Sequence, residues 1–556
     1  MSASTVERKM IINSIQDFNS MTSLRVMRTG KRMQIEDLDT LPRLDRSLID
    51  YRKYHQYIGQ SGIRNCMTVQ GSRGCPWRCI YCDVIKLSPR LYRRSPEHVY
   101  EEVKYLYDMG FRDIEFIDDI FNVHKKDFMA FFGLLIKNKI KLNVYFQSGL
   151  RGDILDSDAI DVMMEGGVKS VNISLETASP RLQKLIKKNL NIEKFHKNLT
   201  YMVEQYPNAI LGVNAMHGFP TETEDEAIST VNFIKTIKWV HFAALHNVRI
   251  FPGSVLETIA LENGITKAQI DESLTMPYNS IPTTFTIDPE FSRKLRLDFV
   301  KNYVLNRDRL RYVLQKQLEV CTENELIFKY QSYFPSQINS FDDIFKLARV
   351  DRSEIDFSKQ PQESKTPIHY PELKKPKFCV GTQRPLRFLF IDATQFYSTD
   401  ERAELRIVEA PLGGLALVTY LNHMFQDRVE GRIAKSFVDF DSHDELKMLV
   451  AEFKPDLIGV RTMSYYKHFF REVIAAIRKQ NSDVPILCGG PHPTIASEEV
   501  LSEHDIHAVV LGEGEVTLSE IVDWMLQHDM KFPDEDALSK IKGLAYLSRR
   551  LFQHCS

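Results

Sequence analysis

The sequence predicts an α/β chain with two parallel sheets: a partial (β/α)6 TIM-like barrel and a doubly wound, Rossmann-like unit. Three observations predict it. Short apolar runs alternate six times with helical stretches between residues 66 and 264. The same alternation returns five times from residue 386 onward. Between them, residues 350–385 are rich in Lys, Pro, Ser and Gln, the composition of a linker.

Residues 1–65 are polar, and the stretch Ile35 to Tyr54 mixes acids, prolines and spaced leucines, so this part reads as a linker docked on a neighbour. The first unit, 66–264, has expected strands Cys66–Gly71, Asp113–Ile117, Leu142–Gln147, Ser170–Leu175, Ile210–His217 and Ala243–Ile250. Ser95-Pro96 opens one of the intervening helices, since Ser caps free amides and Pro suits the first helical position. Residues 265–349 read as a helical extension. The second unit, 386–556, has expected strands Arg387–Asp392, Ile433–Val438, Leu457–Arg461, Ile486–Gly489 and Ala508–Leu511. Its helices begin near Leu412, His443, Lys467, Thr494 and Val516. In both architectures ligands sit at the carboxyl ends of the strands.

Composition narrows the function. Formal net charge is −2, which gives no support for a polyanion-binding surface, so no nucleic-acid partner is expected. No apolar run approaches the roughly 18 residues of a membrane span. The start, MSASTVERK, lacks the basic-then-apolar order of a signal peptide, and a cytoplasmic protein is expected.

Four of the eight cysteines, Cys66, Cys75, Cys79 and Cys82, fall within 17 positions. In a chain this poor in cysteine, such bunching reads as metal binding before crosslinking. The segment GSRGCPWRCIYCDV spaces three of them as Cys75-x3-Cys79-x2-Cys82. Structural zinc and a fully ligated [4Fe–4S] cluster each take four protein ligands. Three thiolates on one loop leave one iron open to a substrate or cofactor. The competing reading is zinc completed by Cys66 or a distant His such as His98. Cys66 itself fits a small core residue of the first strand, and Cys321, Cys379 and Cys555 read as inert.

On these residues, 65–265 resembles the radical S-adenosylmethionine (SAM) superfamily. The resemblance implies that Cys75, Cys79 and Cys82 hold a [4Fe–4S] cluster whose free iron binds SAM, and that an electron donor such as flavodoxin or ferredoxin serves it. It implies Tyr81 beside the adenine, Asp118 or Asp119 at the SAM amino group, Arg151 at its carboxylate, Glu176 at its ribose or amino-acid end and Asn214 at the ribose. The other readings of these residues are structural: a cap or solvated turn for the aspartates, an ion pair for Glu176, a backbone-satisfying Asn for Asn214.

The second unit carries four glycine-bearing segments, APLGGLALVTYLN, LIGVRTMSY, LCGGPHPT and VVLGEGE, each following a strand or opening a helix. They resemble the cobalamin-binding domain of one radical SAM class. The resemblance gives backbone room at Gly489, Gly490, Gly512 and Gly514, and places Thr462 and Ser464 beneath the corrin or along its tail. Glu513 and Glu515 would bond its amides or cap the next helix. G-x-G-x-x-G is missing after the first strand, against a dinucleotide site. So is Asp-x-His-x-x-Gly after Asp392, and the expectation is that no histidine of this unit binds cobalt.

The usual order in that class puts the cobalamin domain first. Here it comes second; residues 26–54 resemble the connector to the barrel and GLAYLSRR (Gly543 to Arg550) the exit strand, so the chain reads like a circular permutation. Either the 350–385 linker brings this domain onto its own barrel, or the domain serves another chain. Asp298 to Leu314 resembles a helical region of porphyrin-ring cyclase relatives. The leading expectation is a cobalamin-dependent methyltransferase acting on an unactivated carbon of a small molecule. The alternatives are a radical cyclase or oxidative rearrangement enzyme, and a non-catalytic cobalamin sensor.

Overall fold

A computed structural model of the chain describes residues 25–275, 288–334, 336–362, 366–374, 384–403, 407–480, 483–503 and 505–548. Cys379, Cys555, Arg549 and Arg550 lie outside these residues.

Six parallel strands, Met67–Val69, Asp113–Phe116, Asn143–Leu150, Val168–Glu176, Ile210–His217 and Phe242–Asn247, pair in strict chain order. Sequential right-handed β/α repeats produce this order, because each helix returns the chain to the edge just made. Helix starts follow their capping chemistry. The Ser95 hydroxyl accepts the His98 N–H and Pro96 occupies the first turn of Pro96–Asp108. Thr223 and Glu226 form a reciprocal capping box at Glu224–Thr236. The core beneath is aromatic: Phe116, Phe128, Phe131, Phe132 and Phe146 are almost fully buried and pack ring against ring.

The helical extension covers one side of the barrel. Arg309, 1% exposed, donates to the backbone carbonyl of His241 at 2.8 Å. Lys329, also buried, reaches the Ser170 hydroxyl at 3.0 Å.

The second sheet has seven strands: the five of the alternation, the exit strand that the resemblance implied, and one more. Its order is Arg25–Arg28, Leu544–Ser548, Ala508–Val510, Ile486–Gly489, Leu457–Arg461, Leu386–Asp392, Val429–Lys435. The five central and outer strands are parallel and reverse direction of growth at Leu386–Asp392, as a doubly wound sheet does. The exit strand is antiparallel, and Arg25–Arg28 pairs antiparallel with it, Arg25 opposite Ser548 and Arg28 opposite Ala545. Part of the segment read as a linker is therefore an edge strand of the distant domain. Two arginines in four residues hide it from any hydrophobic pattern, and an edge needs only one apolar face.

Residues 366–374 run along the barrel. His369 donates its N–H to Met109 O at 2.8 Å, Lys374 to Ser47 O at 2.9 Å, and Tyr370 bonds Asn65 at 2.6 Å. The approach is close: a Cβ on Gly110, whose φ is +98°, would sit 2.1 Å from Pro367 O. The second sheet meets the barrel side of the same chain directly, where Val408 donates its N–H to Ile58 O at 2.9 Å.

Candidate functional site

The three cysteines occupy one loop at the mouth of the barrel, between a two-strand hairpin (Ser72–Arg73 with Tyr92–Arg93) and the helix Val84–Leu87. The loop is shaped by glycine: Gly74 has φ +85°, and a Cβ there would meet Arg90 O at 2.2 Å. The thiols are half-buried and lie within electrostatic reach of one another, although among the described residues no three ligands are already closed around a metal. Burial pushes Cys75 up to about 11 and Cys82 to about 12, and raises Cys79. Arg151 beside Cys75 and Lys188 and Arg151 beside Cys79 pull the other way. Three thiols with two buried cations form a donor set suited to an anionic iron–sulfur cluster with one open iron.

The expected SAM residues converge here, but several are already committed. Arg151 pairs with Asp153 at 2.7 Å, donates to Lys188 O and Asn189 O at 3.0 Å, and lies 4.4 Å over the Trp77 ring. Trp77 sits inside the cysteine loop, so Arg151 clamps that loop to the barrel. Asn122 fixes the Arg151 backbone from both sides. Asp118 is 2% exposed and accepts the Gly71 N–H at 3.0 Å and the Ser72 hydroxyl. It ties down the chain leading to the cysteines, and burial raises it to about 6. Asp119 accepts the Gly74 N–H at 3.0 Å. In this structure Arg151 and Asp118 are loop anchors, a role that local sequence cannot show because their partners lie far off in the chain.

Glu176 ends its strand with φ +63° and accepts from Lys188 Nζ at 2.7 Å and Tyr81 Oη at 3.1 Å. The Tyr81 ring stands edge-on to Phe219. Lys188, buried, was missed in the sequence; it follows a helix in an unremarkable basic stretch. Asn214 lies half-buried on the neighbouring strand, opposite Ser174. His217 is fully buried and faces Ser292 at 3.3 Å.

A cavity of about 790 Å³ opens between this mouth and the carboxyl edge of the second sheet. Gly489, Gly490, Gly512, Glu513, Gly514 and Glu515 line it, as the glycine pattern implied. Gly490 has φ +90°, and a Cβ there would press on Arg461 Cγ at 2.8 Å. Thr494 Oγ1 accepts the Gly512 N–H at 3.2 Å and joins two of the glycine loops. Apolar Val460, Leu487, Val510 and Leu518 supply the floor. Thr462 and Ser464 are not in the lining: Thr462 is fully buried and donates to Ala393 O at 3.2 Å. Arg461, Met463 and Tyr465 line the cavity instead.

Glu513 and Glu515 contact the barrel and connector. Arg73, two residues before Cys75, donates to Glu515 at 2.7 Å and stands 3.7 Å from Glu513. Glu513 also accepts from Gln34 and the Ile35 N–H. Arg73 was not singled out in the sequence, although it lies within the cysteine motif. The helix Pro491–Ile495 packs on Val84–Leu87, so the cysteine loop and the second sheet share a seam.

Family models agree with this geometry. The model described as Radical SAM superfamily matches residues 69–234, and the one described as B12 binding domain matches residues 418–522. The chain joins a radical SAM domain to a B12-binding domain. Those domains imply a [4Fe–4S] cluster, SAM and cobalamin. Over 243 residues the chain is 28% identical to an uncharacterized methyltransferase of Pyrococcus horikoshii, covering 43% of this chain and 51% of that one. It is 26% identical over 180 residues to a tRNA-2-methylthio-N(6)-dimethylallyladenosine synthase of Hydrogenobaculum sp., covering 31% and 41%. The chain thus spans about half or less of these relatives' lengths. Among solved structures, the radical SAM methyltransferase TsrM from Kitasatospora setae aligns with 42% of this chain and 43% of its own, at 17% identity and TM-score 0.34. The cobalamin-dependent enzyme OxsB aligns with 51% and 52%, at 12% identity and TM-score 0.27. Among the described residues no helix is long and apolar enough to cross a membrane.

Proposed function

We propose that the protein is a cobalamin-dependent radical SAM methyltransferase acting on an unactivated carbon of a small molecule or natural-product precursor. The observation that carries this reading is the shared cavity, lined on one side by the glycine loops of the B12-binding domain and on the other by residues beside the cysteine loop. When bound, the cluster and SAM supply a hydrogen-abstracting carbon radical, and cobalamin supplies a methyl carrier.

The chain's own residues provide placement. Cys75, Cys79 and Cys82 would hold three irons, on a loop clamped through Trp77 by Arg151. Lys188, Glu176 and Tyr81 form a hydrogen-bonded group at the strand ends, where the SAM amino-acid and ribose groups would lie, with Asn214 beside them. The glycine backbones let a broad ring approach the sheet edge, and the apolar floor excludes water. Among the described residues the one histidine in the lining is His98, from the barrel side. The proposal therefore keeps the B12-binding domain from supplying a histidine to cobalt, and a cobalt(II) paramagnetic resonance spectrum without coupling to a nitrogen of that domain is expected.

The reading includes a flavodoxin- or ferredoxin-type electron donor and a cytoplasmic site of action, and no nucleic-acid partner, the last supported by the near-zero net charge. The domain order fits a circular permutation, supported by the pairing of Arg25–Arg28 with the exit strand. The deciding experiment is anaerobic reconstitution followed by assay of candidate substrates with methyl-labelled SAM. Label should enter product; consumption of SAM with an unlabelled, cyclised or oxidised product would overturn methyl transfer.

A further inference from the structure

A second cavity, of about 20 Å³, lies where the connector, the first two barrel strands and the B12-binding domain meet. It is lined by His55 from the connector, Thr68 and Glu115 from the barrel, and Glu409 from the far domain. Backbone pairing brings them together: Val408 donates its N–H to Ile58 O at 2.9 Å, and Ile407 bridges Ile58. The other carboxylate oxygen of Glu115 accepts the Ser61 N–H at 3.1 Å, and that of Glu409 accepts from Gln60 at 3.4 Å.

What remains is a set of orphans. His55 Nδ1, Thr68 Oγ1, Glu115 Oε1 and Glu409 Oε1 are all buried without a hydrogen-bond partner. Leaving each unsatisfied costs on the order of a hydrogen bond, so buried polar atoms are rarely left so. The void is large enough for one water, whose usual two to four polar partners are present. Two carboxylates around one dry void would also repel each other strongly.

We propose that this cavity is an internal water site in which Glu115 and Glu409 share one proton through the bound water, latching the B12-binding domain to the barrel. The surroundings balance one negative charge better than two. Lys329 faces Glu115. Lys435 and Arg461 face Glu409, but both also serve the buried Asp392. Cys66 and Asp113 lie nearby on the barrel side, Arg46 donates to Thr68 O at 2.8 Å, and burial, then Arg46, lowers His55 to about 4, so His55, Tyr54 and Tyr57 complete the wall without adding a cation between pH 6 and 9. Burial, then the neighbouring Glu409, raises Glu115 to about 8, and burial raises Glu409. A carboxyl raised in the folded protein stabilises it fully below its unfolded value of about 4.5, and that stabilisation is lost as pH climbs toward 8. The latch is therefore tight in mild acid and loosens in mild alkali. Glu409 also borders the large cavity, so loosening reaches the cofactor seam.

The test is the melting temperature of the reconstituted holoprotein between pH 6 and pH 9, for the native chain, Glu115→Gln, Glu409→Gln and the double variant, with a high-resolution crystal structure. The native protein should lose about 5 °C over that range. Glu115→Gln should remove most of that slope, Glu409→Gln the part that the second carboxylate adds, and the double no more than Glu115→Gln. Should one variant fail to fold, the other carries the test. The crystal should show one ordered water in the void. Unchanged slopes in the single variants, independent additive losses in the double, an empty void, or an ion that rubidium replaces would each overturn the proposal.

Discussion

The cysteine loop and the sheet-side lining of the large cavity are built on different plans. Around the cysteine loop, behind the cavity lining, charged groups are wired to one another: Arg151 to Asp153 and Trp77, Lys188 to Glu176, Asp118 to Gly71 and Ser72. On the B12-binding side, glycine backbone and apolar side chains form the floor, edged by charged groups such as Asp392, Lys435, Arg461, Glu513 and Glu515, with Thr462 turned away. A small set of thiolates must be held at fixed separations, which a dense polar network does. A large flat ligand needs room and dry walls, which missing side chains give. The contrast teaches that the barrel side is sensitive to lost contacts and the sheet side to added atoms.

Substitutions can break that comparison. The largest effect is expected from Cys75→Ala, Cys79→Ala or Cys82→Ala, each of which should abolish bound iron and sulfide while cobalamin uptake persists. Colorimetric iron and the cobalamin spectrum of one sample read both; joint loss would mean that the two faces fold as one unit. Next comes Arg73→Met, which strands Glu515 and weakens the seam. A buried ion pair broken on one side costs about 3 kcal/mol, so the melting temperature, iron content and cobalamin retention should fall together. Gly490→Ala adds a Cβ at φ +90° against Arg461, for about 2 kcal/mol. Equilibrium dialysis should show cobalamin binding weakened at least about tenfold with the cluster spectrum intact. Smallest is Thr462→Val, which loses one buried hydrogen bond, about 1 kcal/mol of stability. Its cobalamin affinity should stay within a factor of about two; a larger drop would return Thr462 to the binding surface.

The same contrast governs what could be read from the sequence. Ile210–His217, Leu457–Arg461 and Ile486–Gly489 begin and end where the apolar runs and their glycines place them. The glycine loops were legible because backbone room is a local property. The polar network was not: Asp118, Arg151 and Glu176 were found as chemistry-bearing residues at strand ends, but their partners are set by tertiary approach. Lys188 and Arg73 had no local mark at all, since a lysine or arginine beside a motif looks like any solvated one. The edge strand Arg25–Arg28 escaped for a related reason, with its partner more than 500 residues away.

That pairing has a consequence for how the molecule comes into being. Thr29 donates its N–H to Leu544 O across 515 positions, so a segment made early waits for one made far later. The barrel can assemble as it emerges, one β/α unit after another. The second sheet cannot close its edge until synthesis has passed Ser548, and such long-range closure is slow. Until then an unpaired strand border faces the crowded cell, a template for association with other chains. Cutting the chain at the 350–385 linker would not yield two self-sufficient halves either: the first would carry a strand that belongs to the second.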